Sequence, residues 1–171
     1  PRPDTQIYIN PITYRVTDPY KRRLTKPDRA PGFIFSFNAC RPYSTGSVSI
    51  TCADASIAPA IHGNYLDDQR DLHDVVRMAR FIGRLQNSPA VQKILAEPPE
   101  TDLLTMSDDA IIDDFRARSG TVFHPCGTCR MGPDQRRFVV DTDLRVHGIE
   151  GVRVADASVF PNITSANTNA P

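Results

Sequence analysis

A histidine lifted off an apolar strand end into a loop of small residues is suited to taking a proton. This chain has one at His124, in Phe123-His124-Pro125-Cys126-Gly127-Thr128-Cys129-Arg130-Met131-Gly132. Pro125 holds the preceding backbone extended, and Gly127 with Thr128 permits a tight loop. An imidazole so placed can act as a general base. Spacing alone leaves open a plain hydrogen-bonded histidine in a turn.

A second run, Val154 to Pro171, follows closely. Asn167 lies among Thr164-Ser165-Ala166 and Thr168-Asn169-Ala170, where small neighbours let backbone and amide approach a ligand. A carboxamide offers two donors and an acceptor oxygen, enough to fix an alcohol or carbonyl oxygen. Asparagine is equally good as a helix N-cap. Asp156, at the end of Val152-Arg153-Val154-Ala155, can accept from a ribose or ribityl hydroxyl, with nearby amides turned to a phosphate. It also suits an ordinary Asx-turn.

Other motifs carry less. Cys126-Gly127-Thr128-Cys129 has no second cysteine pair at zinc spacing in Cys40 and Cys52, and no βαβ context for a thioredoxin-like pair. His62, His73 and His147 form no i,i+4 pair, so no metal is expected. Asn162-Ile163-Thr164 matches a glycosylation sequon without secretory context.

The elements that must position these residues are short. Thr5–Asn10 alternates polar and apolar, as a half-buried strand does; 32–39 and 46–51 are further strands, and 58–62 adds an edge. Residues 17–31 read as a charged, proline-rich loop. Leu72, Val75, Val76, Ala79, Ile82 and Leu85 predict a helix from about Asp68 to Gln86. Ser88-Pro89 starts a short helix through Ala96, and Ser107-Asp108-Asp109 opens a third that stops before Gly120. Short strands then recur at 121–123, 138–140, 145–146 and 152–154. Strands, helices and strands again predict one α+β unit, an antiparallel sheet with helices on one side.

Composition narrows the function classes. The 171 residues are 40% apolar and 23% charged, an ordinary globular balance, with 20 basic and 20 acidic side chains. Basic residues gather only at Lys21-Arg22-Arg23 and Arg136-Arg137, so no nucleic-acid partner is expected. No apolar run approaches bilayer length. A chain opening on Pro1 straight into a strand is expected to be a piece of something longer.

Set side by side, the two runs resemble the C-terminal part of the glucose-methanol-choline (GMC) family of flavin-dependent alcohol oxidoreductases. The family's His-Pro-x-Gly-Thr-x-x-Met-Gly is similar to His124–Gly132, position for position. Val139-Val140-Asp141, Leu144-Arg145-Val146-His147-Gly148, Gly151 to Ser158 and Ser165-Ala166-Asn167 resemble its later motifs, in order. Arg41 to Val48 and Asn64-Tyr65-Leu66 resemble its substrate-domain sheet and the segment after it, so the likeness spans residues 33–171.

The resemblance implies a substrate-binding domain over residues 1–134 and a segment, 135–171, that rejoins an absent FAD-binding domain. It implies FAD as cofactor and a small-molecule alcohol as substrate. His124 matches the base that accepts the hydroxyl proton while hydride passes to flavin N5. Asn167 matches the residue that hydrogen-bonds the substrate oxygen. Asp156 and Ala157 match positions along the ribityl-pyrophosphate, and Asn169 a backbone approach to the isoalloxazine. A flavin-containing lyase of the same fold and a non-catalytic remnant are the alternatives.

Departures from the family pattern carry expectations of their own. Asparagine at 167 leans toward choline-, aryl-alcohol- or hydroxymethylfurfural-type members, and Cys126 replaces a small aliphatic residue. No Gly-x-Gly-x-x-Gly occurs among the nine glycines. The chain alone is therefore expected to bind FAD weakly or not at all, and not to turn over.

Overall fold

The computed structural model describes residues 3–14 and 27–171. The loop expected at 17–31 lies outside these except for 27–31, which carry neither helix nor strand. Lys21-Arg22-Arg23 lie outside as well. Contacts divide the chain into two interleaved units, one of Thr5–Ala39 with Asp68–Gly120 and one of Pro1–Asp4, Cys40–Asp67 and Thr121–Pro171.

The first, the helical unit, is built on β1 (Thr5–Asn10) and β2 (Ile34–Ala39). They pair antiparallel, from Thr5 opposite Ala39 to Asn10 opposite Ile34. That register puts Ile7, Ile9, Phe35 and Phe37 on one face. Phe37 stacks on Phe115 at 5.3 Å, which draws this face onto the helices. Ile7 and, more fully, Ile9 stay exposed.

Helix α1 (Gln69–Gln86) starts where Asp68 accepts from the Arg70 amide. Its buried Val75, Met78, Ala79 and Ile82 follow the i, i+3, i+4, i+7 spacing of one helix face. Ile111 of α3 (Asp108–Arg118) is buried with them in this unit's core, and Ser107 caps α3 by accepting from the Ala110 amide. Arg80 ties α1 to the lead-in of α3, donating to the Leu103 and Met106 carbonyls at 2.5 and 2.7 Å and pairing with Asp108 at 2.8 Å.

Helix α2 (Pro89–Gln92) has the expected Ser88 cap but ends short of Ala96. Its last turn tightens as Ile94 donates to the Val91 carbonyl, and Pro98-Pro99 then bar helical continuation.

The second unit has a different build. Strands β3 (Ser47–Ser49) and β4 (Ala60–His62) form an antiparallel pair, Val48 opposite Ile61. The α+β class holds, but among the described residues two two-stranded sheets take the place of one larger sheet. Instead of four strands after Thr121, there are isolated bridges, Met131 with Val140, Val140 with Val146 and Arg145 with Arg153. Left-handed backbone at Phe123, Leu144, Gly148 and Gly151 borders the runs at 121–123, 145–146 and 152–154, before a ladder can extend. Val140, fully buried, sits where two of these bridges meet.

Candidate active site

His124 follows a residue that the sequence places at a strand end and the structure does not. Phe123 adopts φ +61°, its amide donating to the Thr121 hydroxyl at 3.0 Å. A left-handed residue turns the chain sharply, so His124 leaves a bend rather than a strand. Its side chain is half-buried, and Nδ1 lies 3.0 Å from Oγ1 of Thr168.

The loop after His124 is pinned to a short 3-10 turn, Ala157–Val159. The amides of Gly127, Cys129 and Met131 donate to the carbonyls of Ala157, Ser158 and Val159 at 3.4, 2.9 and 2.8 Å. Gly127 permits this approach with φ +85°, and a Cβ there would stand 3.3 Å from the Phe160 carbonyl oxygen. Three stretches singled out from the sequence thus meet within one unit: the histidine loop, the Asp156 turn and the segment around Asn167.

Asp156 caps that turn, its Oδ1 accepting from the Ser158 amide at 2.8 Å. Hydrogen bonds from the Ser158 side chain and amide hold its carboxyl below the usual carboxylate range. The Asx-turn reading is realised. The amides expected to face a phosphate are committed inside the turn, Ser158 and Val159 to Asp156 and Phe160 to the Ala157 carbonyl. What fits a flavin here is the carboxylate itself. It is exposed and ionised at neutral pH, and a carboxylate accepts more bonds than one amide supplies, so it can take a ribityl hydroxyl.

Asn167 and Asn169 are exposed, and Ala157 is half-buried. Asn167 is followed by a turn at residues 168–169 rather than by a helical start. The Thr164 hydroxyl donates to the Ala166 carbonyl at 2.9 Å, shaping the approach to it. The partner of His124 is the next residue, Thr168, which in the sequence is no more than one of several small neighbours. No sequence signal marks it, because its role depends on a contact across 44 positions.

The cysteines support no sharper chemistry. All four are free thiols, and burial pushes the Cys126 thiol up despite nearby Arg130, away from a reactive thiolate. His147 is occupied with the Gly132 carbonyl, 2.9 Å from Nε2. Among the described residues, no three His, Cys, Asp or Glu side chains gather as a metal-binding set.

A protein-family model described as GMC oxidoreductase matches residues 42–171. An alcohol dehydrogenase [acceptor] of Pseudomonas putida is 35% identical over 144 residues, 83% of this chain and 26% of that protein. An oxygen-dependent choline dehydrogenase of Klebsiella pneumoniae (strain 342) is 39% identical over 142 residues, 81% of this chain and 25% of its own. Among solved structures, an Aspergillus oryzae formate oxidase studied for modification of its FAD superposes with TM-score 0.73 at 30% identity, over 84% of this chain and 25% of that one. The chain spans about a quarter of the length of the curated relatives it matches.

Proposed function

The chain belongs to the GMC oxidoreductase family, and from that premise we propose that it forms the C-terminal part of an enzyme oxidising an alcohol CH–OH group to a carbonyl with FAD. The alcohol and choline dehydrogenase relatives support alcohols as donors. When bound, the flavin supplies the two-electron acceptor.

His124 takes the hydroxyl proton as negative charge develops on the substrate oxygen. The Asn167 carboxamide donates to that oxygen and holds it in place. Asp156 receives a ribityl hydroxyl, with Ala157 beside it, and Asn169 presents its backbone to the ring. Residues 1–134 serve substrate binding and 135–171 return to an FAD-binding portion N-terminal to this chain. That portion is the partner that completes the site.

One observation carries the reading. The histidine loop, the Asp156 turn and the 164–169 segment are joined by direct hydrogen bonds, through Gly127, Cys129 and Met131 to the turn and through His124 to Thr168. In the full-length flavoenzyme, His124→Ala is expected to lower kcat by about 100-fold or more while the flavin absorbance is retained. Near-parental turnover on the best alcohol would remove His124 from the role of base.

A further inference from the structure

We infer that Thr168 is the positioning residue of His124, its hydroxyl oxygen accepting from Nδ1–H and so leaving Nε2 as the unprotonated, proton-accepting nitrogen. The inference rests on the proposed role of His124 as base and assigns which ring nitrogen does the work.

The two ring nitrogens are not equivalent. In neutral imidazole one carries hydrogen and the other a lone pair, and the partner of one fixes the state of the other. Nδ1 has its partner in the Thr168 hydroxyl at 3.0 Å, both side chains being half-buried. A hydroxyl oxygen can receive Nδ1–H and still donate its own hydrogen elsewhere. With Nδ1 protonated, the lone pair falls on Nε2, and the contact also restrains rotation of the ring. Were the hydroxyl instead to donate to Nδ1, the hydrogen would sit on Nε2 and the ring could take no proton there.

The same contact links the base to the segment bearing Asn167. Since Thr168 directly follows Asn167, whatever holds the hydroxyl against the ring also sets where the carboxamide begins. A general base and its oxygen-fixing partner must agree in position to fractions of an ångström. A hydrogen bond from one to the backbone neighbour of the other is a short route to that agreement.

The test uses the full-length flavoenzyme labelled with 15N-histidine, with the His124 ring signals assigned by their loss in His124→Gln. In the parent, NMR at neutral pH is expected to show His124 with hydrogen on Nδ1. In Thr168→Val, which keeps the shape and removes the oxygen, the Nδ1 and Nε2 signals should move together toward a mixed tautomer. There kcat should fall about tenfold or more, part of what general-base catalysis contributes, with KM changed less. Thr168→Ser should restore both. Ring signals in Thr168→Val identical to the parent's, or a changed tautomer with unchanged kcat, would overturn the inference. Full activity of His124→Ala would instead sink the underlying assignment of the base, so the two failures are separable.

Discussion

The helical unit and the unit that carries the candidate site are held together by different forces. In the first, Val75, Met78, Ala79, Ile82 and Ile111 are buried, and two capped helices lie against a strand pair. In the second, Cys40, Val140 and Val159 are the buried apolar side chains, while Val48, Ile50, Ile57, Ile61, Tyr65 and Phe123 stand exposed. Its order comes from amides and carbonyls exchanged between turns, and from carboxylates of Asp54, Asp134, Asp141 and Asp156 that each accept from an amide two residues on. Apolar burial is non-directional and tolerates change elsewhere, whereas hydrogen-bonded turns fix atoms to within tenths of an ångström. A site that must aim an imidazole belongs in the second kind of structure.

The largest effect that would break this contrast is in the helical core. Ile111→Ala is expected to cost roughly 2–5 kcal/mol, the range for emptying a buried aliphatic site. Denaturant unfolding followed by helical circular dichroism measures it. A loss below 1 kcal/mol would mean that the unit is not organised by its apolar core.

In the site unit the corresponding change is a single methyl group. Gly127→Ala places a Cβ on left-handed backbone 3.3 Å from the Phe160 carbonyl, a strain of about 1–2 kcal/mol. Amide exchange at Cys129 and Met131 should quicken while the helical signal is unchanged. If those amides keep their protection, the loop is not pinned to the 157–159 turn in the way described.

How much of this was legible beforehand follows from the same contrast. Local signals placed α1 and α3 closely, because Asp68 and Ser107 are caps with oxygen at the right position and the apolar spacing is regular. The strand pair of Thr5–Asn10 and Ile34–Ala39 also showed in its pattern. After Thr121 the sequence misled, since short β-branched runs such as 138–140 look like strands but contribute single bridges between turns. Left-handed backbone at Phe123 and Leu144, where no glycine announces it, is invisible to pattern. The division into two interleaved units is equally hidden, because it depends on contacts between segments far apart in the chain. His124, Asp156 and Asn167 stood out by residue type and by family resemblance. Thr168 did not, since nothing but the fold gives it a partner.

A smaller change sharpens the comparison from the helical side. Ser107→Ala removes the oxygen that accepts from the Ala110 amide and is expected to cost about 1 kcal/mol. The loss should appear as fraying at the start of α3, with exchange at Cys129 and Met131 as in the parent. A change in those amides would show that the units are energetically inseparable.

Acid should bring out the smallest difference, graded along the chain. Asp54, Asp134 and Asp156 have carboxyls held below the usual range by hydrogen bonds from the amide and side chain of Ser56, Arg136 and Ser158 respectively, and Asp141 chiefly by one from the Arg145 amide. A depressed folded-state pKa contributes stability that is complete above the unfolded value of about 3.9 and is lost as pH falls through the folded one. The helical unit has Asp68, lowered to about 2 by its hydrogen bonds with Arg70, so its cap persists further into acid. Between neutral pH and about pH 4 neither unit should change. Below that, exchange protection, corrected for intrinsic rates, should decline first among residues 134–159, while the amides of α1 hold until pH approaches that of the Asp68 carboxyl. Asp141→Asn keeps an oxygen for the Asp143 and Arg145 amides but does not titrate, and should flatten the decline around it. Simultaneous loss of protection in both units would show that their acid sensitivity has one common origin, and the carboxylate turns would no longer distinguish the site unit from the helical core.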